Sequence, residues 1–141
     1  MHRILAELPY PYTEKDVVDF CRKADFELTR EEIDQILALD AHPIYSKWMK
    51  EKHTFECPYV VFENGAFIHG FMDLVVEEAE KTIIVDFKTD QVFDEFTLLK
   101  RYRKQLETYK EAMAKIRPDR EILAYIYSFA LNQLIEITPK G

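Results

Sequence analysis

The dipeptide Asn64-Gly65 lies between two stretches rich in aromatic and β-branched residues, and it constrains the fold of this chain more than any other feature. A two-residue hairpin loop that matches strand twist needs positive φ at both central residues, and Asn-Gly meets that need at least strain. The turn joins a strand near Thr54–Glu63 to one near Ala66–Val76. A polar turn, Glu78-Ala79-Glu80-Lys81, leads into a third strand over Thr82–Lys88, which completes a meander. Pro58 has no N–H to give a ladder, so the first strand belongs at a sheet edge. The turns also set a register. Across the first, paired residue numbers add to 129, which puts Asp73 opposite Glu56; across the second they add to 159, which puts Asp73 opposite Asp86. Gly70 is a candidate bulge that would shift the first register.

That register gathers charge. Strand side chains alternate faces, so Asp86 and Lys88 share one face while Val85 and Phe87 take the other. Glu56, Asp73 and Asp86 would form a row of three carboxylates with Lys88 beside them. Two carboxylates about 5 Å apart repel by roughly 3 kcal/mol at an effective dielectric near 20. A bound divalent cation or an upward pKa shift relieves that repulsion. Such a cation beside an ammonium suits water activation and charge neutralisation at a phosphate. For Asp-x-Lys alone, the competing reading is an ordinary ion pair on a half-buried strand. Oxygen donors with at most one imidazole favour Mg²⁺ or Mn²⁺ over zinc. No Gly-x-x-x-x-Gly-Lys phosphate loop is present, so this chain does not encode an ATPase.

The remaining elements complete an α/β pattern. His2–Leu8 reads as a helix stopped by Pro9 and Pro11. Thr13 with Asp16 and Thr29 with Glu32 are capping pairs that start two more helices, and Pro43 opens a short one carrying Tyr45, Trp48 and Met49. A long helix over Phe93–Ile116 carries the stripe Leu99, Tyr102, Leu106, Tyr109, Met113 and Ile116. Strands over Ile122–Phe129 and Leu134–Thr138 close the chain, and strand–helix–strand implies a parallel crossover. The whole reads as a mixed sheet flanked by helices, in one domain spanning residues 1–141.

A net charge of −7 argues against a generally basic nucleic-acid surface, although Lys100, Arg101, Arg103 and Lys104 form a local basic run. Cys21 and Cys57 lack Cys-x-x-Cys spacing, which fits a reducing cytoplasm and speaks against a zinc ribbon or an iron–sulfur cluster. No signal peptide or membrane-spanning run is seen. His42, His53 and His69 carry no functional signal.

The three segments Gly70-Phe71-Met72-Asp73-Leu74-Val75, Ile84-Val85-Asp86-Phe87-Lys88-Thr89-Asp90 and Gln105-Leu106-Glu107-Thr108-Tyr109 resemble, in order and spacing, the PD-(D/E)XK nucleases of the RecB type. More narrowly, they resemble the C-terminal nuclease domain of an AddA- or RecB-like helicase–nuclease. The resemblance implies a restriction-endonuclease-like fold and a Mg²⁺- or Mn²⁺-dependent deoxyribonuclease, of exonuclease type, for DNA end processing in recombination and repair. It implies Asp73, Asp86, His2 and the Phe87 carbonyl as metal ligands, and Lys88 as the residue that positions or deprotonates water. Gln105 and Tyr109 match the family's Gln-x-x-x-Tyr motif near DNA. Arg101, one turn before Gln105, is the best phosphate contact. Glu56 is either a further acidic ligand or a surface residue. Met1-His2-Arg3 resembles the second half of an upstream Gly-x-x-x-His motif without its glycine, which implies a fragment of a longer helicase–nuclease. A non-catalytic DNA-binding or scaffolding domain of the same fold is the alternative.

Overall fold

A computed structural model describes residues 2–8 and 10–138, apart from the side chains of His2 and Arg3. The chain forms two compact units, residues 1–50 and 51–141.

The first unit is helical: α1 (His2–Glu7), α2 (Glu14–Lys23), α3 (Arg30–Asp40) and α4 (Pro43–Met49). Both predicted capping boxes form. The Thr13 amide donates to Asp16 (2.8 Å) and the Asp16 amide to Thr13 Oγ1 (3.3 Å). Thr29 and Glu32 exchange the same pair of bonds at 3.0 and 3.1 Å. His42 serves the helix that follows it, because its Nδ1 accepts the Ile44 amide at 3.2 Å and caps α4 ahead of Pro43. Ile4, Tyr12, Val17 and Ile36 form one buried cluster of this unit, and Leu39, Tyr45 and Trp48 are buried as well.

The second unit is a five-stranded mixed sheet of β1 (Lys52–Glu63), β2 (Ala66–Glu77), β3 (Lys81–Lys88), β4 (Glu121–Ser128) and β5 (Gln133–Glu136), with α5 (Glu95–Ile116) between β3 and β4. The spatial order follows the chain, so β1 is an edge. β3 and β4 are parallel and every other neighbouring pair is antiparallel. Asn64 and Gly65 take φ values of 51° and 78°, as a hairpin with both central residues left-handed requires. Pairs such as Phe62–Phe67 and Val75–Ile84 fall in the predicted registers.

Gly70 is not a bulge: it pairs with Tyr59 in register. Its bare Cα leaves room for the Tyr59 ring, because a Cβ there would lie 3.1 Å from the Tyr59 hydroxyl. The break comes at Glu56 instead. Its φ of 49° is left-handed, and the ladder skips from Phe55–Leu74 to Cys57–Met72. A left-handed residue cannot hold the strand geometry a ladder needs. Neither Glu56–Asp73 nor Asp73–Asp86 is therefore a ladder rung, and the β2–β3 ladder ends at Leu74–Val85.

α5 starts later than Phe93, because Asp94 is its N-cap and accepts the Thr97 amide at 2.9 Å. Its buried stripe is Leu98, Leu106, Ala112 and Met113; Leu99, Tyr102 and Tyr109 are half-buried, and Ile116 is exposed. The stripe packs on Met72, Val75, Ile84, Ala124 and Ile126. After α5, the guanidinium of Arg120 donates to Thr82 Oγ1 (3.0 Å) and to the carbonyls of Glu78 and Lys81, which pins the crossover to the β2–β3 turn. Among the described residues, no helix is long and apolar enough to cross a membrane.

Candidate active site

The site lies where β2 and β3 stop pairing. Beyond Leu74–Val85 the Phe87 amide donates to a side chain, Asp73 Oδ2, at 2.9 Å. The Lys88 carbonyl accepts the Phe129 amide at 3.1 Å and so faces β4. Successive residues of a strand alternate their polar groups, so the Phe87 amide and carbonyl both face the Asp73 side.

Asp86 is buried. Its pKa is raised to about 6, first by burial and then by the hydrogen-bonding contact and charge of Asp73, with Lys88 pulling the other way. Lys88 Nζ lies 2.8 Å from Asp86 Oδ2. At that distance the two form a charge-assisted pair, with Asp86 Oδ2 buried beneath the ammonium.

Three neighbours hold Lys88. Besides Asp86, its ammonium donates to Gln105 Oε1 at 3.1 Å and sits 4.0 Å from the centre of the Tyr102 ring. Gln105 Nε2 donates to the Tyr109 hydroxyl at 3.3 Å, so one amide is spent at both ends. The Tyr109 ring meets Tyr59 edge to face with centroids 5.9 Å apart. Burial and then the Asp86 charge push the Tyr109 phenol up to about 12, so the hydroxyl that accepts from Gln105 is neutral at physiological pH. Next to this network, the Tyr102 hydroxyl and Arg101 both donate to Asp90 Oδ2, at 2.7 and 3.0 Å. Burial opposes ionisation of Asp90, but those two hydrogen bonds outweigh it and lower its pKa.

Of the residues singled out from sequence, the structure brings together Asp73, Asp86, Lys88, Gln105, Tyr109 and the main chain of Phe87. Arg101 is tied to Asp90. Glu56 is exposed, and the described residues contain no group of three or more His, Cys, Asp or Glu able to hold a metal, so the expected row of three carboxylates does not form. The His2 side chain lies outside the described residues. Tyr102 and Asp90 are additions. Tyr102 read as a stripe residue, but helical spacing also puts it one turn ahead of the Gln105–Leu106 step, within reach of Lys88. The donor set fits a hard cation: two carboxylates forced together, one of them buried, and a main-chain carbonyl turned the same way.

Known proteins resemble this chain over most of its length. The family model of the PD-(D/E)XK nuclease superfamily matches residues 3–134. An ATP-dependent helicase/nuclease subunit of Syntrophomonas wolfei is 31% identical over 104 residues, which cover 67% of this chain and 8% of that protein. The protein of the same name from Exiguobacterium sibiricum is 35% identical over 79 residues, 51% of this chain and 7% of that protein. The one from Listeria monocytogenes is 24% identical over an aligned length of 158, covering 96% and 12%. The chain thus spans a small part of these relatives. Among solved structures, a Eubacterium rectale protein provisionally assigned as an exonuclease superposes with a TM-score of 0.58 at 17% identity, over 89% of this chain and 54% of that one, a likeness of fold.

Proposed function

Because this chain belongs to the PD-(D/E)XK nuclease superfamily, we propose that it hydrolyses DNA phosphodiester bonds with Mg²⁺ or Mn²⁺, trimming DNA ends in recombination and repair as the nuclease part of a helicase–nuclease. The observation that carries this reading is the Asp73–Asp86–Lys88 constellation, with a buried Asp86 carboxylate crowded by Asp73 and 2.8 Å from an ammonium. Asp73, Asp86 and the Phe87 carbonyl would hold the cation. The chemistry such a cation supplies is Lewis acidity, which lowers the pKa of water and offsets charge on the scissile phosphate.

The chain's own groups do the rest. Lys88 is aimed by Gln105 and Tyr102, so its ammonium stays on the carboxylate side of the site and can hold the attacking water against the phosphate. Gln105 has no free end with which to swing away, since Tyr109 takes its amide nitrogen. Asp86 holds the Lys88 ammonium at 2.8 Å, and Lys88 in turn offsets the Asp73–Asp86 repulsion.

Calorimetric titration of Mn²⁺ is the first test. Wild type should bind, Asp73→Ala should not, and Asp86→Ala should stay folded yet lose metal-dependent cleavage of end-labelled DNA. An Asp86→Ala protein that cuts as fast as wild type would overturn the assignment. A second reading, a non-catalytic DNA-binding module, draws on the absence of a third acidic or imidazole ligand among the described residues. Mn²⁺ binding without cleavage of single- or double-stranded ends would favour it.

A further inference from the structure

The two faces of the β1–β2 hairpin differ. Cys57, Tyr59 and Val61 on β1, with Met72 on β2, pack into the core that α5 covers. Side chains alternate along a strand, so Pro58, Val60 and Phe62 point away from α5. The register sets Phe71, His69 and Phe67 opposite them, on the same outward face. Val60 and Phe62 are each 60% exposed, Phe71 66% and Phe67 73%. The Phe62 and Phe67 rings meet edge to face with centroids 5.1 Å apart, so the apolar groups at the tip are joined rather than scattered. A solvated face of an antiparallel sheet ordinarily carries polar residues. Over these six positions there is no Asp, Glu, Lys or Arg, in a chain of which 32% is charged.

Area and charge together select what fits there. At roughly 200 Å² for a whole ring side chain, three rings exposed to that degree and Val60 leave about 500 Å² of apolar surface in water. That is near the upper end of the largest patch a monomer shows, roughly 300–600 Å². Two such patches brought together remove about 1,000 Å² from water, the least that a specific interface needs. A face without charge cannot steer an acidic or a basic partner, and it matches a surface that is itself uncharged and apolar. DNA does not match, because no cation on this face would meet its phosphates. The same face of a second copy does match, since a two-fold axis lays each patch on its own equivalent. We propose that two copies of this chain associate through the outward face of the β1–β2 hairpin, stacked sheet on sheet with Phe62, Phe67 and Phe71 of each copy at the centre. The association uses no metal and no cleavage, so it stands apart from the proposed function.

Sedimentation equilibrium of the purified chain in chelator tests it. Wild type should be monomeric near about 1 μM and at least half dimeric by about 200 μM, as suits an interface at the small end of the range. Added NaCl should strengthen the association by screening the −7 that each copy carries, whereas a contact made by opposite charges would weaken. Val60→Thr/Phe71→Thr keeps β-branched residues in both strands and leaves the Phe62–Phe67 pair intact. It should unfold at the wild-type temperature and dimerise about tenfold more weakly or worse. Phe93→Ala/Phe96→Ala removes the exposed rings at the start of α5 and should dimerise like wild type, as should Asp86→Ala. In NMR amide spectra, the signals that move with concentration should belong to residues 58–71. A wild type still monomeric at about 200 μM, assembly beyond the dimer, weakening by salt, or wild-type association in the Val60/Phe71 variant would each overturn the proposal.

Discussion

Asp86 puts its carboxylate where a negative charge is costly, and the metal-free protein should show it. Folding raises its pKa from the usual 3.8 to about 6, so between those values the native state holds a proton the unfolded chain has lost. Stability must then fall as pH rises from about 4 to about 6, by about 3 kcal/mol at most, and stay lower above that. Asp86→Asn should remove this loss: urea unfolding in chelator should find the variant more stable than wild type near pH 7 but not near pH 4. An equal pH dependence in both proteins would show that Asp86 ionises as if exposed. Gln105 gives a second check. Gln105→Leu keeps the size but frees Lys88 and the Tyr109 hydroxyl; kcat should drop about tenfold while Mn²⁺ affinity holds, the effect of losing one charged hydrogen bond of about 1.5 kcal/mol. Asp73, Asp86 and Lys88 were legible in sequence because alternation and turn counting place them by integers. Tyr102 was not, because an aromatic at helical spacing reads the same whether it packs a core or carries an ammonium on its face.

Whole elements were legible to different depths. The hairpin register came from two turn residues whose backbone needs leave little choice, and it held along β1 and β2. The left-handed Glu56 that interrupts it has no signature, since glutamate gives no hint of φ 49°. The phase of α5 was also hidden: Leu98 and Leu99 are adjacent and equally apolar, and only the sheet beneath selects Leu98. The start of α5, expected at Phe93, is set instead by the Asp94 cap, and Asp94→Ala should lower the thermal midpoint with cleavage intact. Arg120 should matter more. It satisfies two turn carbonyls and Thr82 across the crossover, so Arg120→Ala should destabilise by about 2–3 kcal/mol in urea unfolding, well beyond an ordinary surface arginine.

Across the second unit, stability should be graded by position in the sheet. β3 lies at the centre, and its residues Thr82–Phe87 are buried, while β1 ends in an exposed hairpin carrying Val60, Phe62 and Phe67. Native-state hydrogen exchange should find the amides of Ile83–Val85 slowest and those of residues 60–69 fastest, separated by several kcal/mol of opening free energy. Similar protection in both segments would mean the sheet opens as one piece. The described site has a further property. Asp73, Asp86, Lys88, Asp90, Tyr102, Gln105 and Tyr109 all come from one unbroken stretch, whereas β4, which β3 needs as its parallel neighbour, is encoded after it. In genetic terms, a crossover that carried codons 73–109 into another gene would transmit every described member of the constellation at once. It would deliver an inheritance unable to stand alone, because the strand that keeps β3 in place would be left on the other side of the breakpoint.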